Sequence, residues 1–286
     1  MQIRCTRTSA RTYKTLVESR NARINAFVHL PNDSSQRLPS IGGPLSGITV
    51  AVKDNICTSG MPTTCSSPML KGALGISIFL PYDATVVKLL RSAGAQAGTE
   101  LVPPTTFFDR LRGSLNKYSV HGPVINPFGE SEGRSAGGSS GGTAAAGLCD
   151  AALGADTGGS IRLPASYCGV VGLKPSYGLL NRWGVVSFPD SLDYVGVLAK
   201  DIESAESVFD YLNIHDPRDP TAATQRIREK ASKSVLSDFL GSGSLSGIRI
   251  GDYFPEELYP SVVNPLRTLL IDLRTHGASQ RPVTCC

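Results

Sequence analysis

The period of the apolar positions changes several times along the chain, and each change marks an element. Gly47–Val52 (GITVAV) is a short, β-branched apolar run that reads as a buried strand. It ends at Lys53-Asp54-Asn55, so a lysine falls where a buried strand meets a loop. Between residues 83 and 94, Val86, Val87, Leu89 and Leu90 recur at helical spacing, with Asp83 as the N-cap and Gly94 closing the helix. Asp201–Leu212 repeats that period through Ala205, Val208, Phe209 and Leu212, and Ser261–His276 through Val262, Leu266, Leu269, Leu270 and Leu273. Ala151–Ala155 and Gly247–Asp252 read as strands, and Gly169–Pro175 and Val185–Phe188 as short extended segments. The small-residue run Thr143–Leu148 reads as a closely packed helix. Strands alternating with helices predict an α/β architecture, a mixed, largely parallel sheet flanked by helices. The pattern breaks after Gly277, which sits where a helix C-cap belongs. A strand should follow, but the chain gives ASQRPVTCC. The expected division is therefore a domain over 16–278 and an aberrant tail over 279–286.

Composition narrows the class. An apolar content of 41% against 18% charged residues excludes a disordered chain, and 286 residues suffice for one large domain or two small ones. No apolar run approaches the length of a membrane span. Arg226, Arg228, Lys230 and Lys233, mixed with Glu229, fit a solvated helix better than a nucleic-acid groove, given a net charge of only +4. Seven cysteines without a CxxC pair fit a reducing compartment, and four scattered histidines without HExxH give a metal site no support. Residues 1–15 carry Arg4, Arg7, Arg11 and Lys14 and no acid. Both a mitochondrial targeting segment and a basic helical N-terminus fit that composition.

Candidate chemistry gathers at three places: Lys53, the serine pair in Gly137-Gly138-Ser139-Ser140-Gly141-Gly142, and Ser160 in Asp156-Thr157-Gly158-Gly159-Ser160-Ile161-Arg162. Amide hydrolysis needs a nucleophile, a base and donors for the tetrahedral oxyanion. The amides of Thr157, Gly158 and Gly159 precede Ser160 and could curl around one oxygen, because glycine lets backbone approach closely. A lysine desolvated against a sheet can lose its charge and act as base, with Ser139 or Ser140 bridging it to Ser160. A phosphate loop would need GxxxxGK[ST], which neither glycine stretch supplies. The GxSxG matches around Ser139 and Ser140 lack the hydrophobic strand a nucleophile elbow requires.

Together, AVKDN, GGSSGG and DTGGSIRLPA closely resemble the amidase signature family over most of residues 20–275. The resemblance implies an amidase-signature fold and a Ser–cis-Ser–Lys triad of Ser160, Ser139 and Lys53, with a cis peptide bond before Ser139. Four further stretches are similar to the glutaminase subunits of tRNA-dependent amidotransferases: Pro62–Leu70, Tyr82–Val87, Ser119–Pro127 (SVHGPVINP) and Lys174–Gly178 through Ser191-Leu192-Asp193. The HGPVINP wording and the Arg-rich start are similar to the mitochondrial form. That resemblance implies hydrolysis of glutamine in the mitochondrial matrix without a cofactor. The ammonia would pass to a partner, the B-subunit of such an enzyme, which uses ATP and Mg2+ to amidate Glu-tRNA(Gln). A small third subunit would complete the assembly.

Four features depart from the family. Gly72–Leu80 is long and apolar, and Leu101–Arg112 replaces a segment that normally lines the site. Only 21 residues separate Ser139 from Ser160, about one helical turn short. The family domain also continues beyond residue 286, where its glutamine-recognising residues lie. A general amidase on small amides and a truncated, non-catalytic scaffold are the competing expectations.

Overall fold

The computed structural model describes residues 10–29, 42–68, 70, 80–101, 119–137, 147–232, 244–255 and 258–283. They divide into two units, residues 1–225 and 226–286.

The first unit is built on one sheet. Its strands are β1 (Phe27–His29), β2 (Thr49–Lys53), β3 (Gln96–Leu101), β4 (Ala151–Asp156), β5 (Val171–Leu173) and β6 (Tyr194–Ala199), in the order β1-β3-β2-β4-β6-β5. The sheet is mixed. Its centre, β3-β2-β4, is parallel, and β1, β6 and β5 add antiparallel pairs on either side. The strand–helix alternation therefore describes the centre better than the edges, where β6 and β5 meet without a crossover helix between antiparallel neighbours.

Strand alternation sends side chains to two cores. Val50, Val52, Leu153, Val195 and Val197 pack on one face with helices α2 (Thr85–Ser92) and α4 (Ile202–Leu212), through Val86, Val87, Leu90, Ala205, Val208 and Leu212. Ala51, Ala152 and Leu198 face the other way, toward α1 (Ala10–Ile24) and α3 (Arg162–Cys168), through Val17, Ile24, Ala165 and Cys168. Helix α1 starts inside the basic stretch whose composition suits a targeting segment. Each fully buried Val or Leu contributes roughly 1.5–3 kcal/mol, so the two cores anchor the central strands firmly.

Capping differs in detail from the sequence reading. Asp201 caps α4, accepting from the Ser204 amide at 2.8 Å. Asp83 does not cap α2, whose N-cap is Ala84. The Asp83 carboxylate instead accepts from the Ser59 amide at 2.8 Å and pairs with Arg91 at 3.2 Å, tying a loop to the helix. Extended residues around Val185 bridge Ile56, with Cys57 N donating to Gly184 O at 2.9 Å. Of the small-residue run expected to be helical, residues 143–146 lie outside the described residues, and Gly147 and Leu148 are not helical.

In the second unit, β7 (Arg249–Asp252) and β8 (Ser279–Pro282) pair in parallel across α6 (Pro260–Thr275), and α5 (Gln225–Ser232) begins at the boundary. The segment after Gly277 thus forms a strand, contrary to what the polar sequence ASQRP suggests. Backbone pairing with β7 does not require apolar side chains, and these are mostly exposed. The expected apolar stripe of α6 is only partly used: Val263 is buried, while Val262 (47%), Leu266 (43%) and Leu269 (51%) are exposed.

Gly184 gives a direct test of the contact between the 184–185 segment and α2. It has φ +83, and a Cβ there would lie 2.5 Å from Ala84 Cα. Gly184→Ala is expected to destabilise the first unit by about 3 kcal/mol through strain and backbone overlap, lowering its urea midpoint without changing the slope.

Candidate active site

Lys53 is the last residue of β2 and is 3% exposed. Because Val52 pairs with Leu153 in β4, the lysine side chain runs beside the end of β4, where Nζ donates to Ala155 O at 2.9 Å. This is the carboxyl edge of the parallel strands, the usual position for a site in an α/β sheet. Burial lowers the Lys53 pKa to about 8, although the charges of Asp193, Asp156 and Cys65 oppose it.

One residue past Ala155, the chain turns through Thr157-Gly158-Gly159-Ser160 into α3. The buried Asp156 carboxylate holds this turn. It accepts from the amides of Gly159 (2.8 Å), Ile161 (3.1 Å) and Arg162 (3.4 Å), and from Arg162 Nε (3.1 Å) and Nη2 (3.0 Å). Burial alone would raise its pKa, but the Arg162 guanidinium and these amides hold it below the ordinary value. Gly159 sits at φ +135, and a Cβ there would touch Leu163 Cδ1 at 3.0 Å, so this position requires glycine. Ser160 is partly buried at the end of the turn.

The structure brings Lys53 and the Ser160 turn to neighbouring strand ends. Ser139 and the peptide bond before it lie outside the described residues, as do residues 72–79 and 102–112 of the two divergent segments. One expectation for the oxyanion donors changes. The Gly159 amide points back to Asp156, so it is committed to holding the turn; Thr157 and Gly158 are the amides of the expected set that stay in contention. Gly158 is exposed, with open space on its Cβ side among the described residues.

Two groups at the site carry no signal in the sequence pattern. Asp193, which stands in the sequence only as part of a family-like SLD, is buried at the start of β6, one residue before Tyr194, which pairs with Asp156. It accepts from Thr157 Oγ1, Ser187 Oγ (3.0 Å) and Phe188 N (2.5 Å). His121, one of four scattered histidines, lies with Nε2 3.2 Å from Thr64 Oγ1, which donates to Asp54 Oδ2. Asp54 is fully buried and also accepts from the amides of Thr64 (2.7 Å) and Ser66 (3.1 Å), which pins the loop carrying Cys65. A ladder of polar contacts between residues nearly sixty positions apart leaves no local trace.

Among the described residues, no group of three or more His, Cys, Asp or Glu could hold a metal ion, and no helix is long and apolar enough to cross a membrane. Cys57, Cys65, Cys149 and Cys168 are buried thiols, and burial pushes Cys149 and Cys168 up to about 12, far from thiolate reactivity.

Burial pushes the Asp54 carboxyl up to about 6, against the opposing hydrogen bonds from Thr64 and Ser66. A carboxyl raised in the folded state stabilises the fold below its unfolded pKa and loses that contribution as pH rises through the folded value. Relative to Asp54→Asn, the wild-type chain should therefore lose about 3 kcal/mol of stability between roughly pH 4 and pH 6, then stay level. Urea unfolding of both chains from pH 4 to 8 measures this; a constant difference would contradict the assigned burial cost.

Comparison with known proteins agrees with this geometry. The sequence profile of the family described as Amidase matches residues 10–285. The A-subunit of the mitochondrial glutamyl-tRNA(Gln) amidotransferase of Mycosarcoma maydis is 45% identical over 296 residues, covering 94% of this chain and 53% of the relative. The crystal structure of the corresponding A-subunit of glutamyl-tRNA(Gln) amidotransferase from Thermotoga maritima superposes with a TM-score of 0.78 at 34% identity, covering 96% of this chain and 57% of that one. Native peptide amidase from Stenotrophomonas maltophilia gives a TM-score of 0.78 at 30% identity, covering 96% and 57%. The chain thus spans about half the length of the relatives it matches. A buried lysine beside a DTGGSIR turn, on this sheet and with this match, places the chain in the amidase signature family.

Proposed function

We propose that this chain carries the nucleophile and base of the glutamine-hydrolysing subunit of a mitochondrial glutamyl-tRNA(Gln) amidotransferase. The observation that carries the reading is the Lys53 amine, buried on the Ala155 carbonyl with its pKa near 8, at the foot of the turn that presents Ser160. At pH 7 about a tenth of such an amine is neutral and able to accept a proton.

In the proposed reaction, Ser160 Oγ attacks the side-chain amide carbonyl of glutamine, and its proton passes through Ser139 to Lys53. The developing oxyanion is held by the amides of Thr157 and Gly158, each worth about 3–4 kcal/mol if removed. The leaving nitrogen takes a proton and departs as ammonia, and water then hydrolyses the acyl-enzyme. Nothing in this sequence of steps draws on a cofactor. ATP and Mg2+ belong to the partner B-subunit, which with a small third subunit would use the ammonia to convert Glu-tRNA(Gln) to Gln-tRNA(Gln). The likeness to the mitochondrial protein from Mycosarcoma maydis supports the matrix as the site of action. The peptide amidase likeness supports a second reading, a general amidase working without partners.

Ammonia release from glutamine and from simple amides, with and without the partner subunits, separates these readings. Ser160→Ala and Lys53→Met are each expected to reduce release by at least about a thousandfold. In the wild-type chain, kcat/KM should rise about tenfold per pH unit below pH 8 and level off above it. Partner-independent turnover of simple amides would favour the general amidase. Absence of turnover from a folded chain would overturn both in favour of a scaffold.

A further inference from the structure

Lys53 Nζ reaches across to Ala155 O on β4. Asp193 lies on the far side of that strand end, one residue before Tyr194, which pairs with Asp156. The charges of Asp193, Asp156 and Cys65 all act on the amine. They are not equivalent. Asp156 is paired by Arg162 through two guanidinium hydrogen bonds, so much of its field at Lys53 is cancelled. Cys65 is a buried thiol whose Sγ donates to Asp54 O at 3.8 Å, so its hydrogen is engaged away from Lys53. Asp193 is different. It accepts from neutral donors, namely Thr157 Oγ1, Ser187 Oγ and Phe188 N, and the guanidinium of Arg182 stands behind Ser187 with Nη2 3.2 Å from Ser187 Oγ. Hydrogen bonds from neutral groups stabilise a carboxylate without cancelling its charge.

The same carboxylate is mechanically tied to the oxyanion turn. Oδ1 accepts from Thr157, the first residue of that turn, while Oδ2 accepts from Ser187 and from Phe188 N, in the segment that follows the Ile56–Val185 bridge. We propose that Asp193 is a positioning residue that sets the charge state of the Lys53 amine and holds Thr157 in place, so that the base and the oxyanion turn depend on one buried carboxylate. The inference rests on Ser160 and Lys53 acting as nucleophile and base.

Asp193→Asn removes the charge and retains the shape. The amide oxygen can occupy the Oδ2 position and accept from Ser187 and Phe188, while the amide nitrogen donates to Thr157 Oγ1, whose hydroxyl turns to accept. Ser187→Ala and Asp193→Glu keep the charge. The readout is the rate of Ser160 phosphonylation by a fluorophosphonate, in which Oγ bonds to phosphorus, fluoride leaves and the serine proton passes toward Lys53. It is followed from pH 6 to 10 with Ser160→Ala as the blank.

In the wild-type chain the rate should rise with a midpoint near pH 8. With Asp193→Asn the midpoint should fall by about one pH unit, and the plateau rate should fall modestly, because a neutral amide holds Thr157 less tightly than a carboxylate does. Ser187→Ala and Asp193→Glu should keep the wild-type midpoint with lowered rates. A wild-type midpoint in Asp193→Asn would overturn the inference alone, leaving Asp193 a structural acceptor. If that chain does not fold, Asp193→Ser, which also removes the charge while keeping a hydrogen-bonding group, decides: a midpoint lowered by about a unit supports the assignment, and an unchanged midpoint overturns it. No Ser160-dependent labelling of the wild-type chain would overturn the nucleophile–base reading and this inference with it.

Discussion

The Lys53 amine sits in a place that a charged group avoids. At the end of a central parallel strand it donates, among the described residues, to the carbonyl of Ala155 and meets almost no solvent. Lowering its pKa from 10.5 to about 8 means that the protonated form is disfavoured in the folded chain. Stability contributed by this residue is present above the unfolded pKa and is lost as pH falls through the folded one, a cost of about 3 kcal/mol at pH 7. That is comparable to what one fully buried leucine contributes. The two cores on either side of β2 are large enough to hold the amine there, and the same cost is what makes it a usable base.

Buried carboxylates organise the loops around that amine, each by a different balance. Asp156 closes the Ser160 turn and is matched by Arg162, so it stays ionised and the turn stays rigid. Among the described residues Asp54 pins the Cys65 loop with neutral donors, and burial prevails over those hydrogen bonds. Asp193 joins Thr157 to the 187–188 segment. The backbone amides that could meet an oxyanion thus lie in a turn fixed from both ends. The commitment of the Gly159 amide to Asp156 shows how one peptide group is used for rigidity while its neighbours stay in contention for substrate.

Much of this is legible in the sequence because it is local. The β-branched run before Lys53, the helical spacing of Val86, Val87 and Leu90 and the glycines before Ser160 each declare themselves within a few residues. The antiparallel edges of the sheet are not, because β6 follows β5 through a loop whose composition says nothing about direction. The strand Ser279–Pro282 escapes a pattern-based reading because its pairing with β7 is carried by backbone, while its side chains are polar. Asp193 and the His121–Thr64–Asp54 contacts escape it for the same underlying reason: they exist only once distant loops meet.

The most direct test of the account is the titration of Lys53 itself. Carbon-13 labelling of the lysine side chains, with Lys53→Met to assign the resonance, reads the protonation of this amine independently of any substrate. The account requires a transition near pH 8, well below the ordinary lysine value of 10.5. A transition at the ordinary value would mean that the amine is solvated, and Lys53 could then not serve as the base on which the proposed chemistry depends.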